Sequence, residues 1–516
     1  MEWYSSIIPI IVTVGLIWAW RILNWLWLRP KKLEKLLREQ GLQGNPYRIL
    51  YGDIKDLLKM EKEARSKSMN LTDDIMPRVI PYIQHNVKIH GKNSFMWFGT
   101  KPRVILTEPE QIIDVLNNIS DFPKNNHKIF KLLVSGLASL EGEKWSKHRR
   151  LINPAFHSEK LKVMTPTFFT SCNDLIRKWE EMLSPDGSCE IDIWPSLQNL
   201  ASDVISRTTF GSSYEEGRRI FQLQIEQAEL MTKVQMNFYI PLWRFVPTMV
   251  NRRINEIGKD IKSSLKDMIN KRVKILKEGG ENKNDLLGIL IETNHKEIKE
   301  HGNNVNVGMN IEDVIQECKL FYFAGQETTS TLLVWTMVLL SRYPEWQARA
   351  REEVLQIFGN KKPNFDGLNN LKIVTMILYE VMRLYPPIIE LSRNVEKNVK
   401  LGNLTLSAGV EVFMPIILLH HDCELWGDDA KMFNPERFSG GISKATNGRV
   451  SFFPFGWGPR ICIGQNFSLL EAKMAMTLIL QHFSFQLSPA YAHAPATVIA
   501  LKPQYGAHII LRKLET

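Results

Sequence analysis

The chain has 516 residues, of which 44% are hydrophobic and 23% charged, and this composition excludes a disordered or fibrous protein. The length allows one large or two ordinary domains. The net charge of +10 fits either ordinary solubility or attraction to anionic lipid or to an acidic partner protein, and we expect no nucleic-acid partner. The five cysteines form no C-x-x-C pair, which disfavours a zinc site and a disulfide framework and fits a reducing compartment.

The first predicted element is a membrane-spanning helix. Ile7 to Leu28 is almost wholly apolar and would span roughly 33 Å as a helix, enough for a bilayer core. Basic residues follow the span and none precedes it, so the positive-inside rule places residue 29 onward in the cytosol. A cleaved signal peptide would need a basic start and a small-residue cleavage site, and a buried core helix is the other alternative. We therefore predict that residues 1–28 are an uncleaved anchor.

A short linker and a small β-rich lobe are expected next. Pro30 is predicted to stop the helix, and residues 29–52 form a basic, proline-containing linker that packs on the globular body. Residues 53–516 then form the large globular domain. Phe95 to Leu106 has apolar runs that are broken by glycine and proline, a pattern typical of short strands.

From Glu108 the chain is predicted to be mainly helical, with one long helix at its centre. Asn310 followed by Asp313 is a helix-start signal, and the helix should run to about Tyr343, before Pro344. Its residues are apolar on nearly every face, which indicates a helix buried all round.

A polar spot lies in the middle of this central helix. Glu327 is costly among apolar neighbours unless it has a partner or a task. Ala324 and Gly325 leave room for a flat cofactor against the backbone, and Thr328 can bond back to a preceding carbonyl. The alternative is a purely structural helix in which one polar side chain has its hydrogen-bond partners.

Two further pairs stand at helical spacing. Trp145 and Arg149 are four residues apart and share a helix face, while Glu380 and Arg383 are three apart and can form an ion pair. Leu401 to Met414 alternates around glycines, as in short hairpins.

A glycine-rich loop near the C-terminus carries a single cysteine, in the pattern Phe455-x-x-Gly458-x-Arg460-x-Cys462-x-Gly464. Glycines let a backbone turn tightly and approach a flat ligand. Free backbone N–H groups and the start of the next helix, predicted from Gln465 to His482, favour a thiolate. The alternative is a buried free cysteine in a glycine-rich turn.

This loop resembles the haem-thiolate loop of the cytochrome P-450 family, and the other motifs follow in that family's order and spacing over the whole chain. The resemblance implies the cytochrome P-450 fold, mainly α with a small β-rich lobe, preceded by one transmembrane helix. It implies haem b (iron protoporphyrin IX) as cofactor and Cys462 as the axial ligand of its iron.

The resemblance also implies roles for the remaining motif residues. Glu327 and Thr328 would deliver protons during dioxygen activation. Cofactor binding would involve the loop and residues near the haem propionates: Trp145, Arg149, Arg393, Phe455, Gly458 and Arg460. A structural triad would comprise Glu380, Arg383 and Arg437.

Three further segments look like the plant seventy-two family (CYP72), whose members oxidise terpenoids such as triterpenes, gibberellins and iridoids. They are Gly44-Asn45-Pro46-Tyr47-Arg48, Phe130-Lys131-Leu132-Leu133 and Phe455-Gly456-Trp457-Gly458. The expected protein is a monooxygenase of the endoplasmic reticulum membrane, single-pass and facing the cytosol, that acts on a lipophilic substrate, most simply a triterpene.

No nucleotide-binding motif occurs, so electrons from NADPH should arrive through a separate NADPH–cytochrome P-450 reductase. A haem-thiolate isomerase or dehydratase acting on a hydroperoxide is the alternative enzyme, although such relatives lose the acid–threonine pair. A non-enzymatic haem sensor is a third. The candidate substrate-pocket walls are Phe130 to Leu140, Leu230 to Phe245, Phe321 to Ala324, Ile388 to Leu391 and Thr497 to Ile499.

Overall fold

A computed structural model describes residues 2–125, 133–211, 214–234, 248–278, 285–302 and 307–515 of the chain. Helices dominate it, which confirms the predicted class. In chain order the α-helices are α1 Glu2–Leu23, α2 Arg29–Glu39, α3 Ile54–Arg65, α4 Met76–Val79, α5 Pro81–His90, α6 Pro109–Asn117, α7 Gly142–Ile152, α8 Ser158–Glu181, α9 Ile193–Phe210, α10 Tyr214–Val234, α11 Met249–Lys277, α12 Leu286–Glu300, α13 Ile311–Arg342, α14 Pro344–Phe358, α15 Phe365–Asn370, α16 Ile373–Leu384, α17 Ile416–His420, α18 Cys423–Trp426, α19 Ile442–Ala445 and α20 Gln465–His482.

The strands are β1 Gln43–Gly44, β2 Ser94–Phe98, β3 Lys101–Ile105, β4 Ser188–Asp192, β5 Leu391–Asn394, β6 Val399–Leu401, β7 Leu404–Leu406, β8 Glu411–Met414, β9 Phe483–Leu487, β10 Pro495–Val498, β11 Ala500–Pro503 and β12 His508–Lys513. They form small sheets, the largest with the strand order β1-β2-β3-β8-β5. In it β1 and β2 are parallel, as are β3 and β8, while β2–β3 and β8–β5 are antiparallel. Phe95 to Leu106 thus supplies two strands of the predicted β-rich lobe.

The N-terminal helix does not stop at Pro30, contrary to the prediction. A π-helical turn, Asn24–Leu28, connects α1 to α2, and Pro30 lies in the first turn of α2. A proline is tolerated there because its missing N–H is one that a helix start leaves unpaired anyway. The apolar stretch of α1 has no buried residue among those described, whereas Leu33 and Leu37 of α2 are buried against the body.

The long helix α13 passes through the centre of the molecule. Asn310 caps it in a reciprocal capping box with Asp313, as predicted, and most of its side chains are buried. It packs against α9, α16 and α20. Helix α20 begins directly after the cysteine loop, so α13 and the loop belong to the same packed core.

Candidate active site

Two glycines with positive φ shape the cysteine loop, Gly456 at 74° and Gly458 at 70°. A Cβ at Gly458 would lie 2.7 Å from the Asn117 side-chain oxygen and 2.9 Å from the Leu116 carbonyl oxygen of α6. The Cys462 backbone N–H donates to the Phe455 carbonyl at 2.9 Å. The loop therefore folds back tightly on itself and against α6, which requires glycine at position 458.

Cys462 lies deep in the protein, yet its side chain has accessible surface, so the thiol faces an interior space. Burial raises the pKa of the Cys462 thiol. The Gly464 backbone N–H, Arg149 and Lys124 act in the opposite direction on that pKa. The site thus surrounds the sulfur with groups that favour a thiolate.

Helix α7 presents one face to this loop. Arg149 donates from Nη1 to the Ile461 carbonyl at 2.8 Å. The Arg460 guanidinium stands over the Trp145 ring, 4.4 Å from its centroid. The predicted shared face of Trp145 and Arg149 is therefore present, and both side chains contact one of the two residues that precede Cys462.

A cluster of cations converges beside the cysteine, and Lys124 is a member that the sequence patterns did not single out. Arg460 donates to the Leu140 carbonyl at 2.9 Å and pairs with Glu141, while Lys124 Nζ donates to the Ala138 carbonyl at 3.0 Å. Burial, followed by the charges of Arg393 and Arg460, lowers the pKa of Lys124 to about 7.

Arg393 reaches this cluster through β5. The backbones of Lys124 and Arg393 form a β-bridge, and Arg393 Nη1 donates to its neighbour Ser392 at 2.8 Å. Burial and the nearby Arg460 lower the pKa of Arg393 to about 10. The buried Nε atoms of Arg393 and Arg460 have no hydrogen-bond partner among the described residues.

These residues fit a haem. The cations outnumber the carboxylates facing them. Glu141 is the acid whose charge acts to raise both the pKa of Lys124 and that of Arg393. Planar guanidinium groups suit carboxylates such as the two propionates of haem. The cysteine thiolate beside them is a recognised axial ligand of haem iron. The cations thus match the propionates of a haem, and the cysteine matches its iron.

On the central helix, Thr328 donates from Oγ1 to the Ala324 carbonyl at 2.7 Å, the predicted bond to a preceding carbonyl. Ala324 is exposed and Thr328 partly so, although the helix around them is buried. Burial raises the pKa of Glu327. The charge of Lys502 acts to lower this pKa, and the charge of Glu229 acts to raise it further. An acid and a hydroxyl thus stand side by side where α13 borders interior space.

Gly325 faces a neighbouring helix, and not the space for a flat cofactor that the sequence predicted. A Cβ at this position would meet the Ile205 side chain of α9 at 3.0 Å. The missing side chain at Gly325 therefore lets α9 and α13 pack closely. The room for a flat group lies at Ala324, whose side chain is exposed.

Glu380 and Arg383 form a fully buried, bidentate ion pair. Arg383 Nε and Nη2 donate to the two carboxylate oxygens at 2.8 and 2.7 Å. Arg437 Nε lies 3.6 Å from Glu380, and Arg437 also binds the Trp426 carbonyl at 3.0 Å. These three side chains are close together, as the triad prediction requires.

His420 connects this pair to the cysteine loop, a link that no sequence pattern indicated. Arg383 Nη1 donates to the His420 carbonyl at 2.6 Å, and the Phe453 backbone N–H donates to His420 Nε2 at 3.0 Å. Burial and nearby His421 and Arg383 lower the pKa of His420 far below its usual value, so its imidazole is neutral and can accept this hydrogen bond.

A second buried link joins α7 to α13. The Glu317 carboxylate contacts His148 Nδ1 at 2.6 Å and accepts a hydrogen bond from the Leu137 backbone N–H at 2.9 Å. Glu317 and His148 are almost wholly buried. This contact fixes the helix that carries Trp145 and Arg149 relative to the central helix.

The described residues also line a mainly apolar cavity of about 460 Å³. Its lining includes Leu133, Met231, Ile388 and Ile499, and so draws on four of the five predicted pocket segments. Parts of two of these segments, residues 130–132 and 235–245, lie outside the described residues. The cavity volume is in the range of pockets for small organic molecules.

The buried pair gives a stability prediction. Glu380→Leu leaves the Arg383 charge buried without its carboxylate, and such a loss costs roughly 3–5 kcal/mol. We expect a lower unfolding temperature in a thermal melt and little folded protein.

Glu436→Gln is the matched control, because Glu436 pairs with Arg349 at 3.0 Å with both side chains largely exposed. Exposed pairs contribute about 0–1 kcal/mol. An unfolding temperature of Glu380→Leu equal to that of the control would contradict a structural role for Glu380.

Comparison with known proteins identifies the family. The cytochrome P-450 family profile matches residues 78–505. The chain is 69% identical to cytochrome P-450 72A68 of Medicago truncatula, over 100% of this chain and 99% of that protein. It is 56% identical to an 11-oxo-beta-amyrin 30-oxidase of M. truncatula (99% and 98% covered) and 54% identical to a 7-deoxyloganic acid hydroxylase of Catharanthus roseus (100% of each). The chain therefore belongs to the cytochrome P-450 family of haem-thiolate monooxygenases and is similar to its plant CYP72 members.

Proposed function

We propose that this protein inserts one oxygen atom of dioxygen into a C–H bond of a triterpenoid. The mainly apolar cavity is the observation that carries the proposal, because a large lipophilic substrate needs such a lining. Two relatives named as 11-oxo-beta-amyrin 30-oxidases, each 56% identical, add support. The iridoid hydroxylase at 54% identity makes an iridoid the second candidate.

The cofactor of this proposal is haem b, held through Cys462 Sγ. When bound, a haem with a thiolate ligand supplies the activation of dioxygen that C–H oxidation requires. The propionates would meet the cations around Lys124, Arg393 and Arg460, with Trp145 and Arg149 completing that side. Phe455 and Gly458 shape the loop, and the triad of Glu380, Arg383 and Arg437 supports it.

Proton delivery is assigned to Glu327 and Thr328. A buried carboxyl with a raised pKa holds its proton to a higher pH than an ordinary glutamate and can donate it. Thr328 Oγ1, at the surface of the interior space, can hold a proton donor in place. An intact acid–threonine pair favours oxygenation over the hydroperoxide isomerase or dehydratase alternative.

Electrons would come from NADPH through a separate NADPH–cytochrome P-450 reductase. Residues 1–28 are proposed as the anchor in the endoplasmic reticulum, single-pass, with residues 29–52 as the connection and residues 53–516 as the cytosolic catalytic domain. Support comes from the one described helix that is long and apolar enough to cross a membrane.

The substrate assignment is tested with microsomes that contain this chain and a plant reductase. We expect NADPH-dependent oxidation of triterpenes of the β-amyrin type, with iridoids, gibberellins, phenolics and fatty acids turned over more slowly. Product is measured by mass spectrometry. Efficient oxidation of phenolics or fatty acids with no turnover of any terpenoid would refute the assignment.

The proton assignment predicts uncoupling. Thr328→Ala should retain haem and consume NADPH but release hydrogen peroxide in place of most product, since positioned proton transfer contributes roughly 10²–10⁴-fold in rate. Glu327→Gln should slow NADPH consumption itself. NADPH, peroxide and product are measured together.

Thr336→Ala is the matched control. Thr336 makes the same bond to a preceding carbonyl, Leu332, at 2.7 Å, but it is buried in the core. If Thr328→Ala and Glu327→Gln couple NADPH to product as well as Thr336→Ala does, the proton route lies elsewhere.

The anchor proposal predicts that deletion of residues 1–28 moves the chain from the membrane pellet toward the soluble fraction with haem still bound. Cell fractionation with a haem assay measures both properties. A truncated chain that binds no haem would show that the domain boundary is misplaced.

A further inference from the structure

The mainly apolar cavity contains a carboxyl group that the proposed chemistry does not use. Glu390 follows Ile388 and Ile389 in the cavity lining, three residues before Arg393. Its side chain is accessible from the cavity, while the surrounding protein shields it from bulk solvent. Neither Cys462 nor Thr328 is among the residues that line this cavity. Glu390 is therefore a polar group in a substrate-sized space outside the reaction centre.

The cations of the same cavity already bind other groups. Arg103 pairs with Glu411 at 3.0 Å, and its guanidinium stands 3.5 Å from the centroid of the Phe98 ring. Arg65 donates to the Thr497 carbonyl at 2.8 Å and lies 3.9 Å from Glu61.

Glu390 itself makes no hydrogen bond or ion pair with the described part of the chain. An acid in such a place is unfavourable unless a ligand satisfies it.

We propose that Glu390 forms a hydrogen bond with a hydroxyl group of the substrate and so selects lipophilic alcohols. The inference rests on the proposed function, since it takes this cavity as the triterpenoid site. A hydroxyl group is the partner of choice because it can accept from the protonated acid and donate to the carboxylate.

The protonation of Glu390 fits this partner. Burial raises its pKa to about 7, Arg103 acts against that rise, and Glu411 and Glu61 add to it. Both protonation states are thus populated near neutral pH, and an alcohol satisfies either one. A permanently charged ammonium ligand would favour the carboxylate alone.

The test pairs two ligands with two protein variants. A β-amyrin-type alcohol and the same skeleton with hydrogen in place of the hydroxyl are titrated into the haem-loaded, full-length chain, and the shift of the Soret band gives each dissociation constant.

The parent should bind the alcohol about tenfold more tightly, the effect of one buried hydrogen bond. Glu390→Leu should reduce this preference to about twofold or less, whereas Glu390→Gln should keep it because an amide also donates and accepts.

Thr232→Val is the control, because the Thr232 hydroxyl lines the cavity but already donates to the Ala228 carbonyl at 2.9 Å. It should keep the full preference. If Glu390→Leu fails to bind haem, Glu390→Met takes its place.

Equal binding of both ligands by the parent, or an undiminished preference in Glu390→Leu, would overturn the role of Glu390 alone. Binding of neither ligand by the parent would overturn the triterpenoid assignment together with this inference.

Discussion

The buried ion pair between Glu380 and Arg383 is the constraint on which the rest of the site depends. Its two charges are removed from water, so each requires the other and the carbonyl groups that Arg383 also binds. One of these carbonyls belongs to His420, whose neutral imidazole accepts the Phe453 backbone N–H at the start of the cysteine loop. The position of the loop is thereby tied to the core through a short chain of hydrogen bonds, and not only through its own turns.

Charge balance is the second determinant of the site. Burial favours the protonated Cys462 thiol, whereas the Gly464 backbone N–H, nearby positive groups and a metal favour the thiolate. Burial, followed by repulsion from neighbouring arginines, lowers the pKa of Lys124 and that of Arg393. A ligand with two carboxylates and an iron would pair with the cations and would also stabilise the thiolate. The polypeptide is thus complementary to a haem in charge as well as in donor type.

Local sequence patterns predicted the secondary-structure elements well, but they did not predict contacts between distant segments. The capping pair at Asn310 and the helix Gln465–His482 were predictable because caps and apolar periodicity act within a few residues. The pairing of Glu380 with Arg383 likewise follows from helical spacing. Lys124 and His420 gave no such signal, because their partners come from segments that meet only in the folded chain.

The proposed chemistry depends on Cys462 as the iron ligand, and one spectrum tests this assignment most directly. The reduced, carbon monoxide-bound protein should show the Soret band of a thiolate-ligated haem, and Cys462→Ala should lose that band. Cys423→Ala removes an exposed free cysteine and should leave the band unchanged. A thiolate-type band that survives in Cys462→Ala would contradict Cys462 as the iron ligand.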